Sequence, residues 1–170
     1  EAARKILGDD IPIMVDTNCP WTKDQARQIL SKWEDFNLYW VEEPINPPED
    51  FESLSNLRSE SLIPIAAGEN ACTSFEFKKM FEYEAVDYAQ PSVTKVGGIT
   101  EFKKIISVAE TFGVQVMPHS PYFGPGFLAT LHLSQSVPNS GLLERFFIDF
   151  EAYIYPEQIF NPKSGSFEIP

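Results

Sequence analysis

Six polar residues, each closing a short apolar run, have the types and spacing to do chemistry together: Asp16, Glu42, Glu69, Ser92, His119 and Glu144. They recur every 23 to 27 residues. Three carboxylates at the ends of three successive strands, Asp16, Glu42 and Glu69, would converge on one mouth, where without a cation they repel and raise one another's pKa. A divalent metal removes that penalty, and all-oxygen ligation selects Mg2+, with Mn2+ as the alternative, over Zn2+. Any one of these acids alone could be a loop-edge or helix N-terminal residue; three in register favour a metal site. His119, titrating near neutrality at a strand end, suits proton transfer. His132, on a predicted helix face, reads as structural.

The elements that would carry these residues alternate. Apolar runs at 11–16, 38–42, 63–69, 85–90, 114–119 and 141–144 are followed by segments of helical periodicity at 23–36, around 51–57, and at 74–82, 100–112 and 127–136. Such alternation marks βα units around a parallel sheet. A period near 25 also suits leucine-rich repeats, but their leucine frame is absent. An open doubly wound sheet would want a Gly-rich turn after its first strand, and the segment DTNCPW has none. The expected fold is therefore α/β, six βα units of a (β/α)8 barrel, whose strand ends all meet at one mouth. A whole barrel typically takes about 250 residues. The chain opens on a helical segment, EAARKIL, so the first strands are expected to lie outside it. Residues 1–145 are read as the partial barrel carrying the site, and 146–170, rich in aromatics and proline, as a C-terminal extension packing on it.

Composition narrows the field of partners. The 170 residues carry 13 Lys+Arg against 25 Asp+Glu, a net charge of −12, with 43% hydrophobic residues. That is a globular composition with enough apolar side chains for one core. A polyanionic surface disfavours nucleic acid and anionic membranes, both of which are bound through Lys and Arg. No stretch is long and apolar enough for a membrane span, and no signal-peptide pattern opens the chain. Cys19 and Cys72 fit a reducing, cytoplasmic setting. As soft groups beside hard ligands they read as bystanders.

Taken in order, the motifs VDTN with Asp16, W-V-E-E-P with Glu42, GEN with Glu69, the run from Gln90 through GGIT, MPHS with His119 and LER with Glu144 resemble the C-terminal barrel domain of the enolase superfamily, in its mandelate racemase and muconate lactonizing branch. The resemblance implies a barrel preceded by an α+β capping domain and abstraction of the proton α to a carboxylate, with the enediolate held by Mg2+. It implies Asp16, Glu42 and Glu69 as metal ligands and His119 as general acid/base. Glu144 would act on the substrate carboxylate region, and Asn18 would contact substrate. Glu43, next to a ligand, should point away by strand alternation.

Two departures bear on the reaction. The family's Lys-x-Lys strand, which supplies the opposing base, would fall before residue 1. Where the family places an Asp to orient the histidine, this sequence has Ser92. A serine can accept an imidazole N–H hydrogen bond but carries no charge to stabilise imidazolium. Racemisation therefore loses ground to dehydration of an acid sugar. Lactone cycloisomerisation or racemisation, or a catalytically incomplete fragment that self-associates and is inactive alone, are the alternatives. Lys95 reads as a loop lysine. Gly124 and Gly126, after His119 and Ser120, either offer N–H groups to a substrate anion, with Ser120 as a contact, or serve the turn. The expected partners are a small carboxylate substrate and further copies of the chain.

Overall fold

A computed structural model describes residues 1–137, 141–148 and 151–169, without the side chain of Gln158. Five short strands, β1 (Met14–Asp16), β2 (Trp40–Glu42), β3 (Ile65–Ala67), β4 (Tyr88–Ala89) and β5 (Gln115–Val116), pair in parallel in sequential order. Between and around them run α1 (Ala2–Leu7), α2 (Lys23–Trp33), α3 (Phe51–Glu60), α4 (Ser74–Glu82), α5 (Ile99–Phe112) and α6 (Pro125–Gln135). Residues 141–144 do not form the sixth strand expected of them. Only the Gly141 N–H reaches the sheet, at 3.3 Å from the Val116 carbonyl, and from there side chains rather than a ladder attach the segment.

Helix starts follow their caps. Thr22 and Gln25 close a reciprocal capping box at α2, while Asp50 and Thr73 accept the N–H groups of Ser53 and Glu76 at α3 and α4. Each satisfies donors that the first helical turn leaves without partners. The apolar stripes then choose the buried face: Ala26 and Leu30 on α2, Leu54 and Leu57 on α3, Phe77, Met80 and Phe81 on α4, Phe102, Ile105 and Ala109 on α5.

All of these side chains share one core with Val41, Ile65, Ala67, Ala89 and Val116 from the strands. Among the described residues, no helix contributes to the cluster on the other sheet face. That face is lined by Trp40, Ala66 and Met117 with Met14, Tyr39 and Tyr88, and Tyr39 stacks on Tyr88 at 5.5 Å between ring centroids. Sequential strand order with helices on one face only is a curved barrel wall, since a doubly wound sheet is covered on both faces. Strand alternation sends Val41 outward and Trp40 and Glu42 inward. In the tail, Phe160 packs on Phe127 at 5.4 Å and Phe167 meets the same ring at 5.3 Å. Residues 149, 150 and 170 of that tail lie outside the described residues.

One glycine fixes how β3 hands over to the mouth. Gly68 has φ +137°, and a Cβ there would stand 2.8 Å from the Phe77 ring and 3.0 Å from the Gln90 nitrogen. The loop that delivers Glu69 thus lies flat against α4 and β4. Gly68→Ala should lower stability by about 1–3 kcal/mol through backbone strain and overpacking. Urea denaturation checks this, and an unchanged midpoint would contradict the close packing.

Candidate active site

The parallel register puts Asp16 directly across from Glu42. The Thr17 N–H and hydroxyl both donate to the Glu42 carbonyl, at 3.1 and 2.8 Å, pinning the first strand end to the second. Asp16 is exposed and its Oδ1 accepts the Asn18 N–H at 2.9 Å. Glu42 is buried, and Trp40 Nε1 donates to its Oε2 at 3.3 Å. Glu69, Ser92 and His119 stand not on strands but two to three residues past the ends of β3, β4 and β5, so loop backbone aims them.

His119 Nδ1 lies 2.9 Å from Glu69 Oε2 and 3.3 Å from Glu144 Oε2. These are ion-pair contacts, not aligned hydrogen bonds, and Nδ1 has no hydrogen-bond partner among the described residues. The other Glu69 oxygen, Oε1, accepts Lys95 Nζ at 2.8 Å. Ser120 donates twice to Glu144, its N–H to Oε2 at 2.8 Å and its hydroxyl to the backbone carbonyl at 2.6 Å. These two bonds, in place of the expected strand, attach Glu144 at the mouth. Ser120 is fully buried.

The structure brings donor atoms of Glu42, Glu69 and His119 within 4.8 Å of one another, a grouping able to hold a metal ion. Asp16 stands outside that trio but lines one cavity of about 350 Å³ with Glu42, Gln90 and Glu144. The donor set is mostly carboxylate oxygen and lies at strand ends, which fits a hard divalent cation.

The carboxylates and the imidazole of this cluster shift in different directions. Burial, with Asp16 and Glu144 adding to it against the hydrogen bonds of Gln90 and Trp40, pushes the Glu42 carboxyl up to about 7. Glu69 is held down at about 2 by His119 and, against its burial, by Lys95. Burial disfavours imidazolium at His119, but Glu69 and Glu144 outweigh it and hold the pKa above its usual value. Burial, and less strongly Glu69 and Asp16, raise Glu144. The Cys19 thiol, pushed up to about 12 by burial and Glu43, is not a metal-ready thiolate, while Cys72 is exposed.

Three sequence expectations meet different surroundings. The Ser92 hydroxyl is hydrogen-bonded to the Tyr122 hydroxyl and lies 3.2 Å from that of Thr94; no serine–imidazole bond occurs among the described residues. Gly126 serves packing, because a Cβ there would be 2.7 Å from the Thr94 methyl. Lys95 is no bystander but grips Glu69. Its position 26 residues after Glu69 matches the period of the mouth residues, a signal that could have found it. Tyr122, edge-on to His119 at 5.9 Å, Trp40 and Gln90 had no such signal. Asn18 sits at the mouth, exposed, with φ 55°. His132 is exposed in the last turn of α6.

A one-sided parallel βα sheet with an acidic mouth at its strand ends defines a barrel-type α/β domain. The chain belongs to the enolase C-terminal domain-like family, whose model matches residues 1–170. It is 37% identical over 145 residues to an L-talarate/galactarate dehydratase of Salmonella typhimurium, covering 85% of this chain and 35% of that protein. Among solved structures it is similar to the L-talarate dehydratase of Polaromonas sp. JS666 complexed with Mg and L-glucarate, with TM-score 0.77, 36% identity, and coverage of 86% of this chain and 37% of the other. The 3,6-anhydro-D-galactonate cycloisomerase of Zobellia galactanivorans gives TM-score 0.82 at 33% identity, covering 87% and 42%. The chain thus spans about 35 to 42% of the length of these relatives. No helix among the described residues is long and apolar enough to cross a membrane.

Two variants test the opposite shifts, measured with a chelator present. Glu42 rises from 4.5 to about 7 on folding, so its contribution to stability is full below pH 4.5 and lost as pH rises through 7. Glu69 falls from 4.5 to about 2, so its contribution is full above pH 4.5 and lost as pH falls through 2. Glu42→Gln should therefore raise Tm by a few degrees at pH 8, with the gain gone below pH 4.5. Glu69→Gln should lower Tm at pH 8, with the loss fading toward pH 2. Thermal melts across this range giving shifts of the same sign would refute the assignment.

Proposed function

We propose that the protein containing this chain is a Mg2+-dependent sugar-acid dehydratase. The observation that carries this reading is the convergence of Glu42, Glu69 and His119 donor atoms within 4.8 Å, beside Asp16, on strand ends of a domain whose relatives include dehydratases of acid sugars. Asp16, Glu42 and Glu69 would hold the cation. When bound, it supplies positive charge where the substrate carboxylate gains negative charge as its α-proton leaves.

The α-proton would pass to the opposing lysine base that the family resemblance implies, and residues of this chain would serve the remaining steps. Loss of water from a sugar acid requires that the α-proton depart, the β-carbon–oxygen bond break and the leaving hydroxide receive a proton. His119, held above its usual pKa by Glu69 and Glu144 against its burial, takes up a proton more readily than a free imidazole would, which suits it to give that proton. With Nδ1 turned to the two carboxylates, Nε2 is the atom that exchanges it. The two hydrogen bonds from buried Ser120 would fix where Glu144 meets the substrate carboxylate region. Met14, Trp40, Met117, Leu142 and Leu143 line the apolar side of the cavity. A cycloisomerase is the second reading, supported by the likeness to the Zobellia galactanivorans enzyme. It would share the α-proton step and differ in the leaving group.

In the intact protein with Mg2+ and a panel of acid sugars, one substrate should yield a 2-keto-3-deoxy product. His119→Asn should cut its turnover by about 100-fold or more while cation binding persists. Exchange of the α-proton without loss of water, or turnover indifferent to the substitution, would overturn the dehydratase reading.

A further inference from the structure

Glu43 is a buried acid that the chemistry above does not use. It follows Glu42 directly, yet the two carboxylates diverge. Glu42 faces the inner side with Trp40, while Glu43, with φ 45°, turns outward beneath the loops, beside Phe51, Gly68 and Ala71. A left-handed conformation at a non-glycine residue is held only where its surroundings over-determine it. Here they do. Both Glu43 oxygens accept Asn70 Nδ2 at 2.9 Å, and Oε2 also takes the Cys19 thiol at 3.3 Å. Its carbonyl accepts the Cys19 N–H at 2.7 Å and the Thr17 hydroxyl at 3.0 Å, and its own N–H donates to the Ala66 carbonyl at 3.0 Å.

These partners have a pattern. Thr17 is the chain neighbour of Asp16, Asn70 that of Glu69, and Glu43 itself that of Glu42. Of the three carboxylates, only Asp16 and Glu42 are held in strand register; Glu69 stands past the end of β3, where ladder hydrogen bonds no longer set its distance from the others. We propose that Glu43 is the positioning residue of the metal centre: by tying the segments after β1 and β3 to the end of β2, it sets the mutual spacing of Asp16, Glu42 and Glu69. The inference rests on the reading of those three as cation ligands.

A merely space-filling role would not need a carboxylate. Glu43 presents an acceptor on each oxygen, and the Asn70 amide uses both. Glutamine has the same shape but only one acceptor, and its amide N–H2 would confront that of Asn70. Glu43→Gln therefore keeps the packing and the backbone bonds to Thr17 and Cys19 but weakens the tie to Asn70. Adding Asn70→Asp restores it with the donor and acceptor exchanged.

The test is Mn2+ affinity of the intact protein, read by electron paramagnetic resonance, with thermal melts alongside. Glu43→Gln should weaken Mn2+ by about 10- to 100-fold, the size of effect that partners of metal ligands exert. The Glu43→Gln, Asn70→Asp double variant should recover most of that loss. Leu57→Ala, on the buried face of α3, should lower Tm without moving the affinity, which separates positioning from general destabilisation. Wild-type affinity in Glu43→Gln, or a folded double variant that binds no better than the single one, would overturn the inference. If Glu43→Gln fails to fold, the double variant alone decides: wild-type affinity supports the tie and weakened affinity refutes it. Absence of Mn2+ binding in the wild type would instead overturn the ligand reading, and this inference with it.

Discussion

Like charge gathered at one place is the constraint around which the rest of this structure is arranged. Asp16, Glu42, Glu69 and Glu144 gather at and past the strand ends, and the basic side chains in contact with them among the described residues are Lys95 and His119. Convergence of this kind is unfavourable in a partly buried site unless cations or donors compensate it. The compensation is uneven. Glu69, with a basic group on each oxygen, stays ionised far into acid, whereas Glu42, with only Trp40 and Gln90 donors against its burial, holds its proton to about pH 7. Glu42 has no basic side chain against it among the described residues, so an added cation would offset its burial.

The wall that supports this cluster is built to be rigid on one side and open on the other. Five strands of two or three residues carry little stability as a ladder. The helices fix their positions through the continuous core from Ala26 to Leu133. The inner face, with Tyr39, Trp40 and Tyr88 in mutual ring contact, forms a floor beneath Glu42. Past the strand ends the backbone takes over, with left-handed conformations at Asn18, Cys19 and Glu43 turning loops sharply enough to return the next helix to the outer layer. Strained backbone concentrated at a site of converging charge is the arrangement that a preorganised active site requires.

Family membership and site geometry constrain the chemistry at different levels. Relatives with this domain include dehydratases and a cycloisomerase, and a common fold alone would not choose between them. Under the proposed reading the shared step is removal of a proton beside a carboxylate, which the acidic mouth and His119 would suit.

The amino-acid order by itself determined the βα rhythm, the capped helices and the apolar stripes, because these depend on neighbours within a few residues. It also determined which residues close each apolar run, and so which acids reach the mouth. It did not determine the end of the parallel wall: residues 141–144 have the apolar character of a strand, but hydrogen bonds from Ser120 to Glu144 hold them. Nor did it reveal that Ser92 turns to Tyr122 rather than to the imidazole, or that Glu69 divides its oxygens between Lys95 and His119. Those outcomes are choices among partners 24 to 50 residues apart in the chain. Only the tertiary structure, by fixing which loops lie side by side, decides which of several available donors each carboxylate meets.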